Sequence, residues 1–493
     1  MTVVPFGPWE PDSAAIDAPV LAEAKNCYAH KVGYGPMPSL SADPASGALV
    51  AKSFGMFAAR TSAGGWIIFA GTQTKLYRYV SGTWTDYTRA AGGDYNVATD
   101  DYWSFTQFGS YVIAVNINDA PQVIDIDSGA TAFSALGGSP PNSRYVTVIG
   151  DFVILACQST NNLKVRNSAI NDVTGWSVGT NLCDEQTFGD GGRVTGVAGG
   201  EYGYVVQERA IRRMIFQPGS DTAFRFERVE KERGAAAGYS VISTINAVFF
   251  LSDDGFYAFG QNGLVPIGAQ RINEWFRNNC DTSRFFSVAA FADPYAPRIS
   301  WAFYNTSSST NFDRLLTYDW QLDRWTYAVI EAQFWATSVT AGVTLEDLDT
   351  YGAIDTAVPY SLDSRVWEGG APVIGAINAD GKLSFLEGAA PLTVTLTTSS
   401  IHTRPGGRAR VQSLYPIGEF NDATLALRVG KREHSKNAVS YSSSITPSTL
   451  SGIARTNASG RLHTFELTVT QSTGTLWEHA QGVDIMAQAD GIL

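Results

Sequence analysis

The sequence contains few charged residues. Asp, Glu, Lys and Arg make up 17% of the 493 residues, against about a quarter in ordinary soluble domains. Acidic residues outnumber basic ones by 47 to 35, which gives a formal net charge of −12. Affinity for nucleic acid comes from Lys and Arg side chains that displace counterions from phosphates. The balance therefore argues against a chain whose whole surface binds nucleic acid.

Cysteine and histidine are also scarce. The cysteines Cys27, Cys157, Cys183 and Cys280 are far apart and form no CxxC pair, which predicts free thiols in a reducing compartment and not a disulfide framework. The five histidines show no HExxH or HxH spacing, and neither GxSxG nor a P-loop occurs. These are the patterns that hold metals, activate nucleophiles or cradle phosphates. The sequence therefore predicts no metal, no cofactor and no enzymatic activity.

Long apolar runs are missing as well. No run of apolar residues reaches the roughly 18 that a membrane-spanning helix needs. The opening "MTVVPFGPWEPDSAAID" has neither the basic segment nor the apolar segment of a secretory signal. We therefore expect no membrane span and assembly in a cytoplasm.

Glycine and aromatic residues are abundant, with 48 Gly and 12% aromatics. This composition favours β-strands joined by turns over helices. Two stretches show the same local pattern: "KLYRYVSGTWTDYT" at 75–88 and "RLLTYDWQLDRWTYAV" at 314–329. In each, an aromatic strand and a short polar turn are followed by a Trp that opens a second strand. The pattern predicts the same hairpin twice.

Strand groups of similar texture recur along the middle of the chain. They begin at Phe105, Val146, Val194 and Val241, at intervals of 41, 48 and 47 residues. Repeats of about 40–50 residues with four short strands each are typical of β-propeller blades. A solenoid is disfavoured because no short motif repeats with fixed residues. A row of separate sandwiches is disfavoured because each repeat is too small to close its own core.

The two Trp residues of the hairpins are the predicted packing residues of this propeller. In a blade, the third and fourth strands form an outer hairpin, so an aromatic side chain beside the turn can pack between neighbouring blades. We predict that Trp84 and Trp325 are such inter-blade wedges. The alternative is an ordinary hairpin aromatic without a role between blades.

The chain divides into three parts by texture, and the predicted fold class is all-β. Residues 1–50 form an extended, Pro-rich arm with one helix-like patch at Val20–His30, and the arm packs on the C-terminal domain. Residues 51–390 form the β-propeller, interrupted by a predicted helix at Ala269–Asp281. Residues 391–493 carry long alternating strands, which predict a separate antiparallel β platform that resembles a sandwich or small barrel.

Charged clusters give weaker indications. The segment "FERVEKERG" interleaves acids and bases. We interpret it as a self-complementary subunit interface whose members are Arg228, Glu230, Lys231, Glu232 and Arg233. Exposed ion pairs of this kind contribute about 0–1 kcal/mol each, so they can set register without supplying affinity. Two further basic runs, "RPGGRAR" and "GKREH", lie in the C-terminal part. A solvated face is the default interpretation of all these clusters.

Both ends of the chain resemble one known family. The stretch "FGPWEPDSAAIDAPVLAEAKNCYAHKVGYGPMPSL" (Phe6–Leu40) is similar to the opening of the tail nozzle, tail tubular protein B-like or packaged-DNA stabilisation proteins of short-tailed bacteriophages (podoviruses). The stretch from "YPIGEF" to "WEHAQGVDIMAQADG" (Tyr415–Gly491) is similar to the end of the same family, with a "WEHAxGVD" element at Trp477–Asp484. The two stretches cover about a quarter of the chain.

The resemblance implies a structural virion protein without enzymatic activity. It would form a homo-oligomeric ring, a hexamer, at the distal end of the phage tail, where it retains the packaged genome and then serves as a conduit for DNA ejection. Its partners would be an adaptor or gatekeeper tail protein, tail fibre or spike proteins, and double-stranded DNA in transit. The protein would be located in the virion tail after assembly in the host cytoplasm.

A different function class stays open from the residues alone. β-Propellers also host glycan-binding and glycan-cleaving proteins, and cleavage needs two carboxyl groups facing each other across a pocket. Asp125 and Asp127 lie on the same face of one predicted strand, although the pattern is more typical of a solvated outer face. The alternative prediction is therefore a propeller that binds or cleaves glycans.

Overall fold

The chain is nearly all β in the computed structural model, which describes residues 2–13, 16–199, 202–245, 247–340, 370–472 and 474–490. The predicted fold class is confirmed: a β-propeller is joined to an antiparallel platform and to an extended N-terminal arm. Within the described residues, no helix is long and apolar enough to cross a bilayer. The four cysteines are buried and unpaired.

The N-terminal arm consists of five short strands and contains no helix among its described residues: β1 (Thr2–Pro5), β2 (Leu21–Lys25), β3 (Cys27–His30), β4 (Gly33–Pro36) and β5 (Pro38–Ala42). The helix-like patch expected at Val20–His30 is wrong. Asn26 adopts a left-handed conformation with φ 60°, which divides the patch into two strands. Each half then gains ladder hydrogen bonds from a neighbouring sheet, and this tertiary pairing overrides helix propensity.

Seven groups of four antiparallel strands follow in the described residues, and we call them blades 1 to 7 in chain order. Six of them are separate sheets, and the four strands of blade 6 are part of a nine-stranded sheet. Blade 1 comprises β6 (Ser53–Arg60), β7 (Trp66–Thr72), β8 (Leu76–Val80) and β9 (Thr83–Asp86). Blade 2 comprises β10 (Ser104–Phe108), β11 (Tyr111–Val115), β12 (Gln122–Asp125) and β13 (Ser134–Ala135). Blade 3 comprises β14 (Ser143–Ile149), β15 (Phe152–Gln158), β16 (Lys164–Asn167) and β17 (Asp184–Thr187). Blade 4 comprises β18 (Val194–Ala198), β19 (Gly203–Gln207), β20 (Ile211–Phe216) and β21 (Phe224–Glu230). Blade 5 comprises β22 (Ile242–Ser243), β23 (Ala247–Ser252), β24 (Gly255–Gly260) and β25 (Gly263–Pro266).

Blades 6 and 7 complete the set, and the last blade borrows its outer strand from the arm. Blade 6 comprises β26 (Ala289–Ala292), β27 (Arg298–Phe303), β28 (Arg314–Asp319) and β29 (Arg324–Ala328). Blade 7 comprises β30 (Ala332–Val339), β31 (Pro372–Asn378), β32 (Leu383–Pro391) and, as its outer strand, β5 of the arm. The first strand of each blade lies beside that of the next, with a 3-10 turn at Gly238–Ser240 between blades 4 and 5. Strand β30 lies beside β6, so the ring of blades closes.

One α-helix, α1 (Asn273–Asn279), lies between blades 5 and 6. The helix predicted at Ala269–Asp281 is confirmed but is shorter. Its apolar stripe faces inward, since Ile272 and Phe276 are buried and Trp275 packs edge-on against Trp9 of the arm at 4.8 Å between ring centroids. The stripe is therefore core in this chain.

The platform is a pair of packed sheets built from both ends of the chain. Its own strands are β33 (Val394–Thr398), β34 (Ala409–Glu419), β35 (Thr424–Arg432), β36 (Ser440–Tyr441), β37 (Ala454–Gly460), β38 (Leu462–Thr470) and β39 (His479–Ala489). One sheet has the order β3-β4-β39-β34-β37, and β1 also pairs with β39. The other has the order β2-β33-β38-β35-β36. Leu414 and Ile485 of the first sheet share an apolar core with Leu396 and Leu467 of the second.

Propeller and platform share one continuous sheet. Strand β29, the outer strand of blade 6, pairs in parallel with β2 of the arm through Tyr327 and Lys25. Strand β2 in turn pairs antiparallel with β33. The nine-stranded sheet that results passes from the rim of the propeller into the platform, so the arm joins the two parts.

Candidate functional site

Aromatic side chains fill the propeller centre on the face where the first strands begin. Tyr102, which precedes β10, is 2% exposed and meets the rings of Phe54, Tyr239 and Phe334 at 6.5, 4.9 and 5.3 Å between centroids. Its hydroxyl donates to the carbonyl of Ser287 at 3.0 Å. These rings come from blades 1, 2 and 7 and from the turn before blade 5. At this end of the axis the Tyr102 ring is therefore enclosed by rings from other parts of the propeller.

A buried charge lies directly beside this aromatic cluster. The Asp101 carboxylate is 3% exposed and accepts a hydrogen bond from the Tyr239 hydroxyl, while its other oxygen lies 3.2 Å from the Arg144 Nε. Burial, reinforced by this carboxylate, raises the pKa of Tyr239. Burial lowers the pKa of Arg144 and the Asp101 charge raises it, with a net upward direction. The cluster thus neutralises one carboxylate with a guanidinium and links blades 2, 3 and 5.

Acid–base hydrolysis of a glycoside needs a second carboxyl group facing the first. The Asp101 cluster offers a guanidinium and a phenol in that position. Sequence analysis missed the cluster because the two charged residues are 43 positions apart in different repeats. The available signal was that Asp101 precedes the first strand of blade 2 and that Arg144 lies at the start of the first strand of blade 3.

The predicted interface residues lie at the end of β21 and in the loop after it, where most of them are paired within the chain. Arg228 contacts Asp190 at 2.9 Å, and Arg233 contacts Asp254 at 2.9 Å. These two acids belong to segments that sequence analysis did not connect with the cluster.

One acidic member of the cluster, Glu230, also has partners in the loop. The Glu230 carboxylate accepts from the backbone N–H groups of Lys231 and Glu232 at 2.8 and 2.9 Å. The Arg228 guanidinium donates to the Lys231 carbonyl at 2.8 Å. The segment is thus a folded, internally balanced loop between blades 4 and 5, and its role as a subunit interface stays a prediction.

Trp84 lies in β9 at the boundary between blades 1 and 7. It is directly opposite Tyr79 in the β8–β9 hairpin, and their ring centroids are 4.9 Å apart. The same apolar cluster contains Val373 and Phe385 of blade 7. The indole therefore packs where the first and last blades meet.

Trp325 lies in β29 at the boundary between blades 5 and 6. It is directly opposite Tyr318 in the β28–β29 hairpin and is 1% exposed. Its indole N–H donates to the carbonyl of Ile267 at 3.0 Å, and its ring lies 5.3 Å from that of Phe256. Ile267 and Phe256 belong to blade 5 and the turn that follows it, so this indole contacts the neighbouring blade through both packing and a hydrogen bond.

A cleft of about 320 Å³ opens between blades 4 and 5 on the opposite face. Its walls include Tyr204 and Phe259, with Tyr202 at the rim. Tyr202 is 40% exposed, and the Arg213 guanidinium lies 5.5 Å from its ring centroid. A half-exposed aromatic face is a surface on which a sugar ring could stack, so this cleft is where the glycan alternative applies.

Among the residues that the structure describes, one group of side chains has ligand atoms close enough together to share a metal ion. The candidate ligand atoms of Glu419, Glu478 and His479 lie within 4.8 Å, because β34 and β39 pair Glu419 with His479. A hydrogen bond to Glu419 and its charge raise the pKa of Glu478. Both carboxylates are exposed, and exposed acidic groups of this kind are common in proteins without a metal. The spacing of 60 residues gave no signal in the sequence.

Comparisons with known proteins give a fold likeness and nothing more specific. No protein-family model and no curated protein matches the chain. Among solved structures, a YCF48 protein bound to a D1 peptide is 14% identical, with 71% of this chain and 97% of that chain covered and a TM-score of 0.36.

Two bacterial structures resemble the chain to a similar degree. PorZ of the type IX secretion system of Porphyromonas gingivalis is 10% identical, with 71% and 44% coverage and a TM-score of 0.36. The extracellular domain of the hybrid two-component system BT4673 of B. thetaiotaomicron is 10% identical, with 78% and 43% coverage and a TM-score of 0.39. None of these three is described as a phage tail protein. Likeness at this level carries no argument about function.

Proposed function

We propose that the chain is a structural virion protein that forms the distal tail nozzle ring of a short-tailed phage, retains the packaged genome and conducts DNA during ejection. The observation that supports this proposal most is that the two terminal stretches with family resemblance pack together. Strand β39 pairs with β4 through Ala480 and Tyr34, and the Phe6 N–H donates to the Gln481 carbonyl at 2.7 Å. The two stretches therefore meet in one folded unit, the platform, to which both ends of the chain contribute.

The junction between platform and propeller also suits a ring subunit. Asn26 donates from its backbone N–H to the Tyr327 carbonyl at 2.7 Å and from its side chain to the Thr393 carbonyl at 3.0 Å. Its side-chain oxygen accepts from the Val329 N–H at 2.9 Å. One residue thus fixes the last strand of blade 6 to the start of the platform. A subunit whose propeller and platform are already fixed to each other can assemble into a ring without a further folding step.

Charge supports the role of a conduit. Duplex DNA presents one negative charge per roughly 1.7 Å of its axis, and a wall that contacted many phosphates would hold it. Residues 51–390 carry 24 Lys and Arg against 35 Asp and Glu. We infer that exposed acids line most of the channel, so that the DNA slides.

Native mass spectrometry of the purified full chain tests the ring, and labelling of the parent particle tests its place. We expect a six-copy mass and antibody labelling at the tip of the tail. A chain that stays monomeric at all concentrations and labels no part of the tail would refute the proposal.

The glycan alternative is tested separately at the cleft between blades 4 and 5. Binding or cleavage of host surface glycans that Tyr202→Ala abolishes would favour the alternative. Tyr111→Ala, which removes another exposed Tyr of the propeller (38% exposed), is the matched control.

A further inference from the structure

The platform carries a basic surface at one end, in contrast to the acidic propeller. Residues 391–493 contain 9 Lys and Arg against 7 Asp and Glu. Seven of these nine cations fall in three short segments, 402–410, 431–437 and 459–463, which contain a single acid, Glu433. The segments include the two basic runs that the sequence shows without connecting them.

Strand pairing brings the three segments together. Lys431 lies opposite His463 in the β35–β38 ladder, and the His463 ring lies 2.9 Å from the Thr403 hydroxyl through its Nδ1. Arg408 contacts Glu433 at 3.0 Å and donates to the Ser459 hydroxyl at 3.3 Å. We call this surface the basic end of the platform and define it by five cations: Arg404, Lys431, Arg432, Lys436 and Arg461.

These five cations are available to an external anion. No ion pair to a carboxylate within the described residues involves any of them, whereas Arg408 and Arg410 are paired with Glu433 and Asp490. Arg404, Lys431 and Lys436 are exposed. The nearby acids Glu433, Asp490 and Asp17 are paired with Arg408, Arg410 and His402, and the five cations leave the net charge of the surface positive.

The composition of the surface favours a polyanion over a folded protein partner. Protein interfaces centre on buried aromatic or aliphatic anchors and are depleted in Lys. None of the exposed large apolar side chains lies in the three segments, all of which are described. Instead the segments offer guanidinium, ammonium, hydroxyl and Gly or Ser backbone groups, which are the usual contacts to phosphate oxygens.

We propose that the basic end of the platform is the surface through which each subunit contacts the phosphate backbone of duplex DNA. This inference rests on the proposed function, because a conduit with repelling walls needs a limited attractive contact to retain a genome. Five or fewer phosphate contacts per subunit give weak binding that is sensitive to salt. Weak contacts of this kind, made by every subunit of the ring, together retain the DNA and still allow its release.

The test measures binding of the purified full chain to a mixed-sequence 25-bp duplex by fluorescence anisotropy at a series of NaCl concentrations. The variant is Arg404→Gln/Lys431→Gln/Lys436→Gln. Each lost phosphate contact lowers the slope of log affinity against log salt by about 0.9. We expect a slope smaller by about 2 to 3 and an affinity at least about tenfold weaker at low salt.

The matched control is Lys31→Gln/Arg209→Gln/Arg277→Gln, which removes three exposed cations elsewhere and changes the net charge equally. We expect the control to bind as the unaltered protein does. Equal loss in both variants, no binding to the duplex at low salt, or tighter binding to polyglutamate than to the duplex would each overturn the inference.

The outcomes separate this inference from the proposed function. A ring at the tail tip whose subunits do not bind the duplex would refute the basic end as a DNA contact and leave the nozzle intact. Binding that depends on the three cations, in a protein absent from the tail, would refute the nozzle.

Discussion

At the scale of single residues, the hairpin aromatics show how neighbouring blades adhere. Trp325 combines full burial, three aromatic neighbours and a hydrogen bond to the turn that follows blade 5. Burying an indole removes about 150–250 Å² of surface from water, which corresponds to roughly 4–6 kcal/mol as an upper bound. Its partner across the hairpin, Tyr318, is 5% exposed, so the stabilisation is concentrated at one boundary.

Replacing this indole should therefore be costly. We predict that Trp325→Ala lowers the free energy of unfolding by about 3–5 kcal/mol, because a large cavity remains between blades 5 and 6. Trp325→Phe keeps most of the volume and should cost less. Thermal melts of the two variants provide the measurement, and a Trp325→Ala protein that melts within a degree or two of the parent would contradict the wedge.

A second residue-scale contact holds the arm to the platform and depends on pH. Asp17 accepts from the His402 N–H at 2.7 Å and contacts the His402 Nδ1 at 2.7 Å. The backbone hydrogen bond, followed by the side-chain hydrogen bond, holds the pKa of Asp17 below its ordinary value of 3.8. A carboxyl group with a depressed pKa stabilises the fold above its unfolded pKa and loses that contribution as the pH falls through the folded pKa.

We predict that Asp17→Asn melts at a lower temperature than the parent at pH 6. The difference should shrink below about pH 3.8 and vanish once the carboxyl group of the parent is protonated. Paired melting curves from pH 6 to pH 2 measure this. A difference in melting temperature that stays constant from pH 6 to pH 2 would show that the charge of Asp17 does not stabilise the fold.

At the scale of elements, the closure of the propeller depends on a borrowed strand. Strand β5 pairs antiparallel with β32 through Ser41 and Phe385 and through Ser39 and Gly388. Across the seam between blades 1 and 7, the Ser53 N–H also donates to the Gln333 side-chain oxygen at 2.8 Å. The arm thus adds a ladder of backbone hydrogen bonds to blade 7. This ladder joins residues that are far apart in the sequence.

Steric disruption of this ladder should open the seam. A Cβ at Gly388 would lie 2.9 Å from the Ser39 carbonyl oxygen, so we predict that Gly388→Val displaces β5, lowers the melting temperature and speeds proteolysis around residues 43–52. Gly189→Val is the matched control, because nothing lies within 4 Å of a Cβ at that exposed glycine. Equal protease resistance in both variants would contradict a closing role for β5.

The sequence predicted the positions of secondary-structure elements better than any other feature of the structure. The blade starts expected at Phe105, Val146 and Val194 fall within β10, β14 and β18, and Val241 immediately precedes β22. Alternation of apolar and polar residues and regular turn spacing are local signals, so they survive without tertiary information. The error at Val20–His30 arose where a partner strand, and not the local sequence, decided the structure.

At the scale of the whole molecule, the arm makes propeller and platform one body. Asn26 carries three hydrogen bonds to Tyr327, Val329 and Thr393 at the junction. An unsatisfied buried polar group costs about 1–3 kcal/mol. The Asn26 side chain supplies two of these three bonds, so we expect its loss to weaken the coupling of the two parts.

We predict that Asn26→Ala separates the unfolding of the platform from that of the propeller, visible as two calorimetric transitions in place of one. The control is Asn421→Ala, since Asn421 has the same left-handed backbone (φ 42°) but donates only within the platform, to the Leu476 carbonyl. A single transition in both variants would mean that the junction does not depend on Asn26.

The sequence by itself determined the all-β class, the blade period, the two Trp hairpins and the charge deficit, because each is written in composition or in local periodicity. Only the tertiary structure decided that seven blades close through β5, that Asp101 meets Arg144 at the axis, and that three separate basic segments form one surface. Those features depend on contacts between residues tens to hundreds of positions apart. Such contacts are set by which strands pair across the whole fold, and no local pattern encodes that pairing.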